Sequence, residues 1–319
     1  MRVANWGASA PPHPAASLPA ARPAASAPPA GQPARPALVV APATEPADPA
    51  PAAWRLWVSR QWLPALLGMV SIGLLLAAWH LATHYRLDFY VRFTNIPAPA
   101  EVFQRLLEVN QSPQFLTNIG MSLRRILLGF AVAAVLGIGL GLLIGRYKAV
   151  RMLTMPAMEV MRPIPAIAWV PMSIMLWPSN EVSIVFITFI GAFFPILLST
   201  IHGVESIDPV LLRAARCLGC PERRLLWQVM LPAALPQVFT GLAVGMGVAW
   251  VSLIAAEMIS GQFGIGYFTW EAYSLIAYAE IALGMITIGV LGLLCSGAIR
   301  LAANVVMPWR AAQQKRGAA

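Results

Sequence analysis

Few side chains in this 319-residue sequence are placed to do chemistry, and their spacing excludes most of it. Cys217 and Cys220 spell C-x-x-C, a pattern that can hold zinc or cycle as a dithiol. No second Cys/His pair stands near enough in sequence to complete a metal site, and no βαβ pattern surrounds the motif. The two thiols are read as incidental. His13, His80, His84 and His202 are too scattered for a metal cluster or a nucleophile–base pair. Gly137-Ile138-Gly139 begins like a dinucleotide fingerprint, but no strand precedes it; nor is there a G-x-x-x-x-G-K-[ST] loop for ATP. The chain by itself is expected to be no enzyme and to carry no cofactor or metal.

Two charged residues of more interest lie inside apolar stretches, Arg162 and Glu257. An ionisable group within a membrane span is costly unless it is paired or faces a cavity. For Arg162 two readings stand: a local ion pair with Glu159, three positions earlier on a helix face, or a place beside a translocation path, where it would favour anions. Pro165 and Trp169 share its run and join it as candidate path residues. Glu257 fits three roles: lining a path near an outer gate, pairing with a basic residue, or marking the outer interface.

The elements that must hold these residues are membrane helices. The sequence is 58% hydrophobic and 11% charged, with mean hydropathy +0.68. Soluble domains carry about 25% charged residues, so the expected class is an all-α integral membrane protein. Six spans are expected, at about residues 63–82, 123–144, 153–176, 182–201, 236–260 and 281–302 within a transmembrane domain 56–310. Residues 1–55 hold 13 of the 28 prolines and have no hydrophobic periodicity, which predicts a disordered cytoplasmic tail; 311–319 form a second tail. The net charge of +9 is read as topology rather than nucleic-acid binding. With both termini inside, cytoplasmic segments hold 16 of the 22 Lys/Arg and external segments five. Arg124 and Arg125 fall on the wrong side of that rule and are expected to snorkel to the outer headgroups.

Local patterns refine this plan. Gly137, Gly141 and Gly145, and later Gly241, Gly245 and Gly247, offer smooth faces for close helix contact. Pro156, Pro163, Pro165 and Pro171 prevent the third span from being one straight helix. Irregular backbone at that depth survives only against protein or a water-filled cavity. The prolines at 97 and 99 bound a turn that feeds a short amphipathic surface helix. Gly261 to Phe268 is expected to form a tight external turn, re-entrant in one reading.

The polar stretch Arg213 to Pro232 separates two apolar spans. One short helix is expected from about Pro209 to Leu218 and a second from near Pro221, with Gly219 as the turn between them. Pro232 and Pro236 then end or bend the second helix. Arg213, Arg216, Arg223 and Arg224 would suit a DNA-reading helix-turn-helix, but about thirty residues between spans are too few for such a domain. A surface helix pair made to touch another protein fits better.

The register Arg213-Ala214-Ala215, Gly219, Val229, Leu231-Pro232 resembles the E-A-A…G…I-x-L-P loop of inner-membrane permease subunits of ABC importers, with Arg213 in place of Glu. The run from Arg162 to Pro171 and the G-I-G-Y element near Gly264 are similar to the nitrate/sulfonate/taurine branch of that family. The resemblance implies a type I importer permease (MetI-like) fold in a bacterial inner membrane. It further implies that the loop 202–235, through Arg213, Ala214, Ala215, Gly219, Val229, Leu231 and Pro232, forms a coupling helix that docks on an ABC ATPase subunit, and it implies an external solute-binding protein, a second permease copy and a small anionic substrate. A self-contained secondary transporter is the competing class, but no inverted repeat or pair of broken helices supports it.

Overall fold

A computed structural model describes residues 53–85, 96–109, 112–260 and 262–309, all helix and turn. Of the expected tail 1–55, residues 1–52 lie outside these, as do Arg86, Arg92, Gly261, Arg310 and the tail 311–319; residues 53–55 already belong to the first helix. Helix α1 is Ala53–His84, α2 Pro99–Val109 and α3 Pro113–Arg146. Next come α4 (Lys148–Met161), a 3-10 turn (Ala166–Trp169), α5 (Val170–Leu176) and α6 (Asn180–Glu205). Helix α7 (Pro209–Cys217), α8 (Glu222–Arg224), α9 (Leu231–Ser260), α10 (Ile265–Ser274) and α11 (Tyr278–Val306) complete the order.

Among the described residues five helices are long and apolar enough to cross a membrane: Leu66–His84, Pro113–Arg146, Asn180–Glu205, Glu222–Ser260 and Tyr278–Val306. The expected third span is not a sixth such helix. Pro163 and Pro165 break it into α4, the 3-10 turn and the seven-residue α5, because a proline removes an amide donor and disfavours helix in the residue before it. Pro156, by contrast, is accommodated inside α4. Helix α3 also starts ten residues earlier than expected, since its polar first turns are paired with other helices rather than with water.

Helices α3, α6 and α9 form the centre, with Ile126, Ala133, Ile187, Ile196, Leu197, Ala249 and Leu253 in their shared core. Glycine registers the helices. On α3, Gly129, Gly137, Gly141 and Gly145 face Thr188, Ile196, Thr200 and Val204 of α6. Each pair is 59 positions apart (188 − 129, 196 − 137, 200 − 141, 204 − 145), so α3 and α6 run parallel with their backbones in close approach. An added Cβ at Gly141 would lie 2.6 Å from the Thr200 Cβ. Gly241 and Gly245 of α9 likewise face Ser199 and Ile196, but Gly247 meets open space and is no contact glycine.

The bundle has two ends. Helix α7 marks the loop end, where α3 and α6 finish and α4 starts. Helices α2 and α10 mark the far end, with Phe115 of α3 edge-on to Phe268 of α10. The expected amphipathic helix is α2, tied to α11 by Arg105, whose guanidinium is bonded to Glu280 and Glu108. Those hydrogen bonds, to Glu108 first and then Glu280, hold the Arg105 pKa above its usual value.

Candidate functional site

The loop-end hairpin is built by local hydrogen bonds. Asp208 caps α7, its Oδ1 accepting from the Val210 N–H at 2.7 Å, and Pro209 occupies the first turn, where no amide donor is needed. At the other end the Cys220 N–H reaches the Ala215 carbonyl at 3.1 Å and the Gly219 N–H reaches Arg216 at 2.9 Å. This is a Schellman stop, which requires a left-handed residue at Gly219, and its φ is +75°. A Cβ there would meet no atom within 4 Å, so the need for glycine is conformational rather than steric.

The expected second helix does not end at Pro232. Residues Glu222–Arg224 pass through a π-turn, Leu225–Met230, directly into α9. In that wider turn the Leu231 N–H bonds to the Leu226 carbonyl, five residues back, just before the proline that lacks a donor. Leu225 and Met230 are buried, and Val229 and Leu231 pack on the same cluster with Leu142, Val204 and Val238. The hairpin is thus anchored to α3, α6 and α9 through its C-terminal half. Ala215 turns inward to this cluster, while Arg213 and Ala214 are exposed. The outward face is apolar at Val210, Leu211 and Leu218, the last 88% exposed.

One tether escaped the sequence reading. Arg146, the last residue of α3, donates through Nη2 to both carboxylate oxygens of Glu222, at 2.8 and 2.7 Å. Arg216 of α7 lies 3.6 Å from the same carboxylate. No sequence spacing pointed to a pair 76 positions apart.

The second feature is a cavity of about 310 Å³ beside the broken third span. Arg162 and Pro165 line it with Ile190, Phe194, Pro195 and Val248. Arg162 is the one charged residue in its lining, and the walls are otherwise apolar. The ion pair with Glu159 is not formed among the described residues; Glu159 lines a different cavity, near the loop end. Arg162 keeps helical backbone, its N–H bonded to the Met158 carbonyl at 2.9 Å, so the two side chains are parted by where they point, into two different cavities, and not by a break in the helix between them. Trp169 packs against the central core and is absent from the cavity lining.

The third feature corrects the expectation for Arg125 and, of the three roles open to Glu257, shows the pairing with a basic residue. Arg125 does not snorkel to the surface, and Glu257 faces no cavity: their side chains are 1% and 0% exposed. Their charges meet at 2.9 Å between Arg125 Nη1 and Glu257 Oε1. Glu257 also accepts from Ser122 Oγ at 2.8 Å and from the Gly266 N–H at 2.9 Å. Arg125 donates in addition to Glu181 and to the Phe263 carbonyl. Ser122 Oγ accepts from the Ile265 N–H at 2.9 Å, and Asn118 Oδ1 from the Gly264 N–H at 3.1 Å. The carboxylate sits where a side chain on Gly264 would stand, 2.3 Å from its ideal Cβ, and Gly264 has φ +133°. One buried node therefore binds α3, α6, α9 and the start of α10. The signal was present: two opposite charges inside apolar spans are best explained by each other.

A bundle of apolar spans with a charged hairpin at one end and a lone arginine in an open, otherwise apolar cleft suits a membrane permease. The comparisons make this specific. The family model "Binding-protein-dependent transport system inner membrane component" matches residues 135–310, more than half of the chain. The chain is 33% identical over 255 residues to the nitrate import permease protein NrtB of Synechocystis sp., covering 77% of this chain and 90% of that one. It is 30% identical over 261 residues to the taurine transport system permease protein TauC of Escherichia coli (80% and 93%). With the bicarbonate transport system permease protein CmpB of Synechococcus elongatus it shares 37% over 214 residues (63% and 77%). The chain belongs to the binding-protein-dependent transport system inner membrane component family: it is the multi-pass permease subunit of an ABC importer, with its ATPase in a separate subunit.

Proposed function

We propose that this permease imports a small oxyanion of the nitrate, taurine, alkanesulfonate or bicarbonate kind. The observation that carries the reading is Arg162, the single charge lining an otherwise apolar cavity. A cation in low-dielectric walls attracts an anion and rejects a cation more strongly than it would in water. The three relatives above, whose names specify nitrate, taurine and bicarbonate, support the same chemistry. Helix α4 climbs 14 residues from the loop end before Arg162, about 21 Å at 1.5 Å per residue, which suits a site well inside the membrane. Pro165 is assigned with it to the path.

The hairpin around Gly219 is assigned to coupling. Two permease copies would each present α7 to an ATPase subunit, with Val210, Leu211 and Leu218 as the contact face and Ala214 allowing close approach. Closure of the ATPase pair on ATP would draw the two hairpins together and open the path toward the loaded binding protein. Both termini are assigned to the cytoplasm, with α2 and α10 facing the binding protein.

Growth of a strain lacking the gene tests the substrate class. Failure on nitrate as sole nitrogen, on taurine or alkanesulfonate as sole sulfur, or at limiting inorganic carbon, with normal growth on ammonium, sulfate and high carbon dioxide, supports an oxyanion. Normal growth on all of these, together with a defect on a neutral or cationic solute, contradicts it.

A further inference from the structure

A cavity of about 560 Å³ at the loop end, between α3 and α4, takes no part in the mechanism above. Arg146 ends α3, Lys148 begins α4, and Arg151 lies one turn further; all three line the cavity. Between the helices Tyr147 is extended (φ −106°, ψ 111°), and its side chain does not cap α4. The first turn of α4 contains no acidic residue. No side chain therefore caps the positive end of its dipole, and Lys148, its first residue, lines the cavity.

Two of the three cations are ion-paired. Glu222 and Glu205 take Arg146 and Arg151 from outside the lining, and Glu159 is the one carboxylate within it. Lys148 has no ion-pair partner among the described residues. The Nε of Arg146 is buried without a hydrogen-bond partner, while Nη2 of the same group is used by Glu222. Beside these polar groups the wall turns apolar, with Ile144, Met152 and Met155. Met152 is 65% exposed.

We propose that this cavity binds an anionic phospholipid. Its phosphate sits at Lys148, Arg146 and the start of α4, and its upper acyl chain lies along Met152 and Met155. A free oxyanion would satisfy the cations but leave the methionine wall in water, whereas a lipid covers both. Basic pockets where helices leave the membrane are suited to such headgroups. The consequence is regulatory: the bound phosphate shares Arg146 with Glu222, so lipid occupancy bears on the tether between α3 and the hairpin.

The assembled transporter, purified in detergent and exposed to equal phosphatidylglycerol and phosphatidylcholine, provides the test by native mass spectrometry. The unmodified protein should retain phosphatidylglycerol preferentially. Lys148→Gln and Arg151→Gln should each lower that preference about fivefold, as expected for one juxtamembrane charge. Arg300→Gln, on α11, should leave it unchanged. Equal retention of the two lipids by the unmodified protein overturns the proposal. So does an Arg300→Gln loss as large as that of Lys148→Gln, which would indicate general attraction. Displacement by millimolar inorganic phosphate as readily as by added phosphatidylglycerol would make this a free-oxyanion site and overturn the lipid assignment.

Discussion

The two ends of this bundle handle charge in opposite ways. At the far end, Arg125 and Glu257 are sealed from solvent; Ser122 and Gly266 donate to Glu257, and Arg125 donates to Glu181, to complete the node. At the loop end, Glu222 is half-exposed and holds Arg146 and Arg216, beside a Leu218 that nothing among the described residues covers. A buried, fully bonded pair resists rearrangement because any partial break strands a charge in low dielectric. An exposed pair exchanges with water for little cost. The far-end node is thus an anchor of α10 on the bundle, and the hairpin is an element able to move with a partner.

The largest effect should follow from breaking the anchor. Arg125→Ala leaves Glu257 buried and uncompensated and should destabilise the fold by about 3–5 kcal/mol. Membrane-inserted protein recovered in mild detergent should fall sharply. The paired change Arg125→Met with Glu257→Met should recover more than either single change, since apolar replacement removes both desolvation penalties. A double variant as poor as the singles would mean that the node's hydrogen bonds to Ser122 and Gly266 matter more than its charge.

Gly219→Val addresses the mobile end. A β-branched residue in the left-handed region costs about 1–2 kcal/mol, confined to a hairpin whose anchor lies elsewhere. Protein yield should stay near normal, while ATP hydrolysis stimulated by the loaded binding protein should drop toward its basal level. Full stimulation in this variant would remove the hairpin from coupling. The smallest effect on the fold is expected from Arg162→Ala, whose side chain reaches a cavity rather than a partner. Expression and basal hydrolysis should be unchanged and anion uptake reduced; unchanged uptake would return Arg162 to a structural role.

Much of this was legible in the sequence, and the remainder was not for identifiable reasons. Apolar length gave the spans apart from the proline-broken third, and glycine spacing gave the face of α3 that another helix approaches, though not that the helix is α6, because both signals are properties of one helix face. The Schellman turn was legible at Gly219, since it depends on neighbouring residues alone. The Arg125–Glu257 and Arg146–Glu222 pairs join residues 132 and 76 positions apart, and only the fold decides which charges meet. Arg125 was misplaced because a charge rule for loops was applied to a residue whose partner lay inside the bundle. The π-turn before Pro232 was also hidden: proline signals a lost donor but not whether the helix stops or widens to absorb it.

The account stands most directly on what Leu218 touches. A photo-crosslinking residue placed at Leu218 in the assembled importer, compared with one at Met175 on α5, would answer this in a single gel. A covalent adduct between permease and ATPase subunit is expected from position 218 and none from position 175. An adduct from 175 with none from 218 would contradict it.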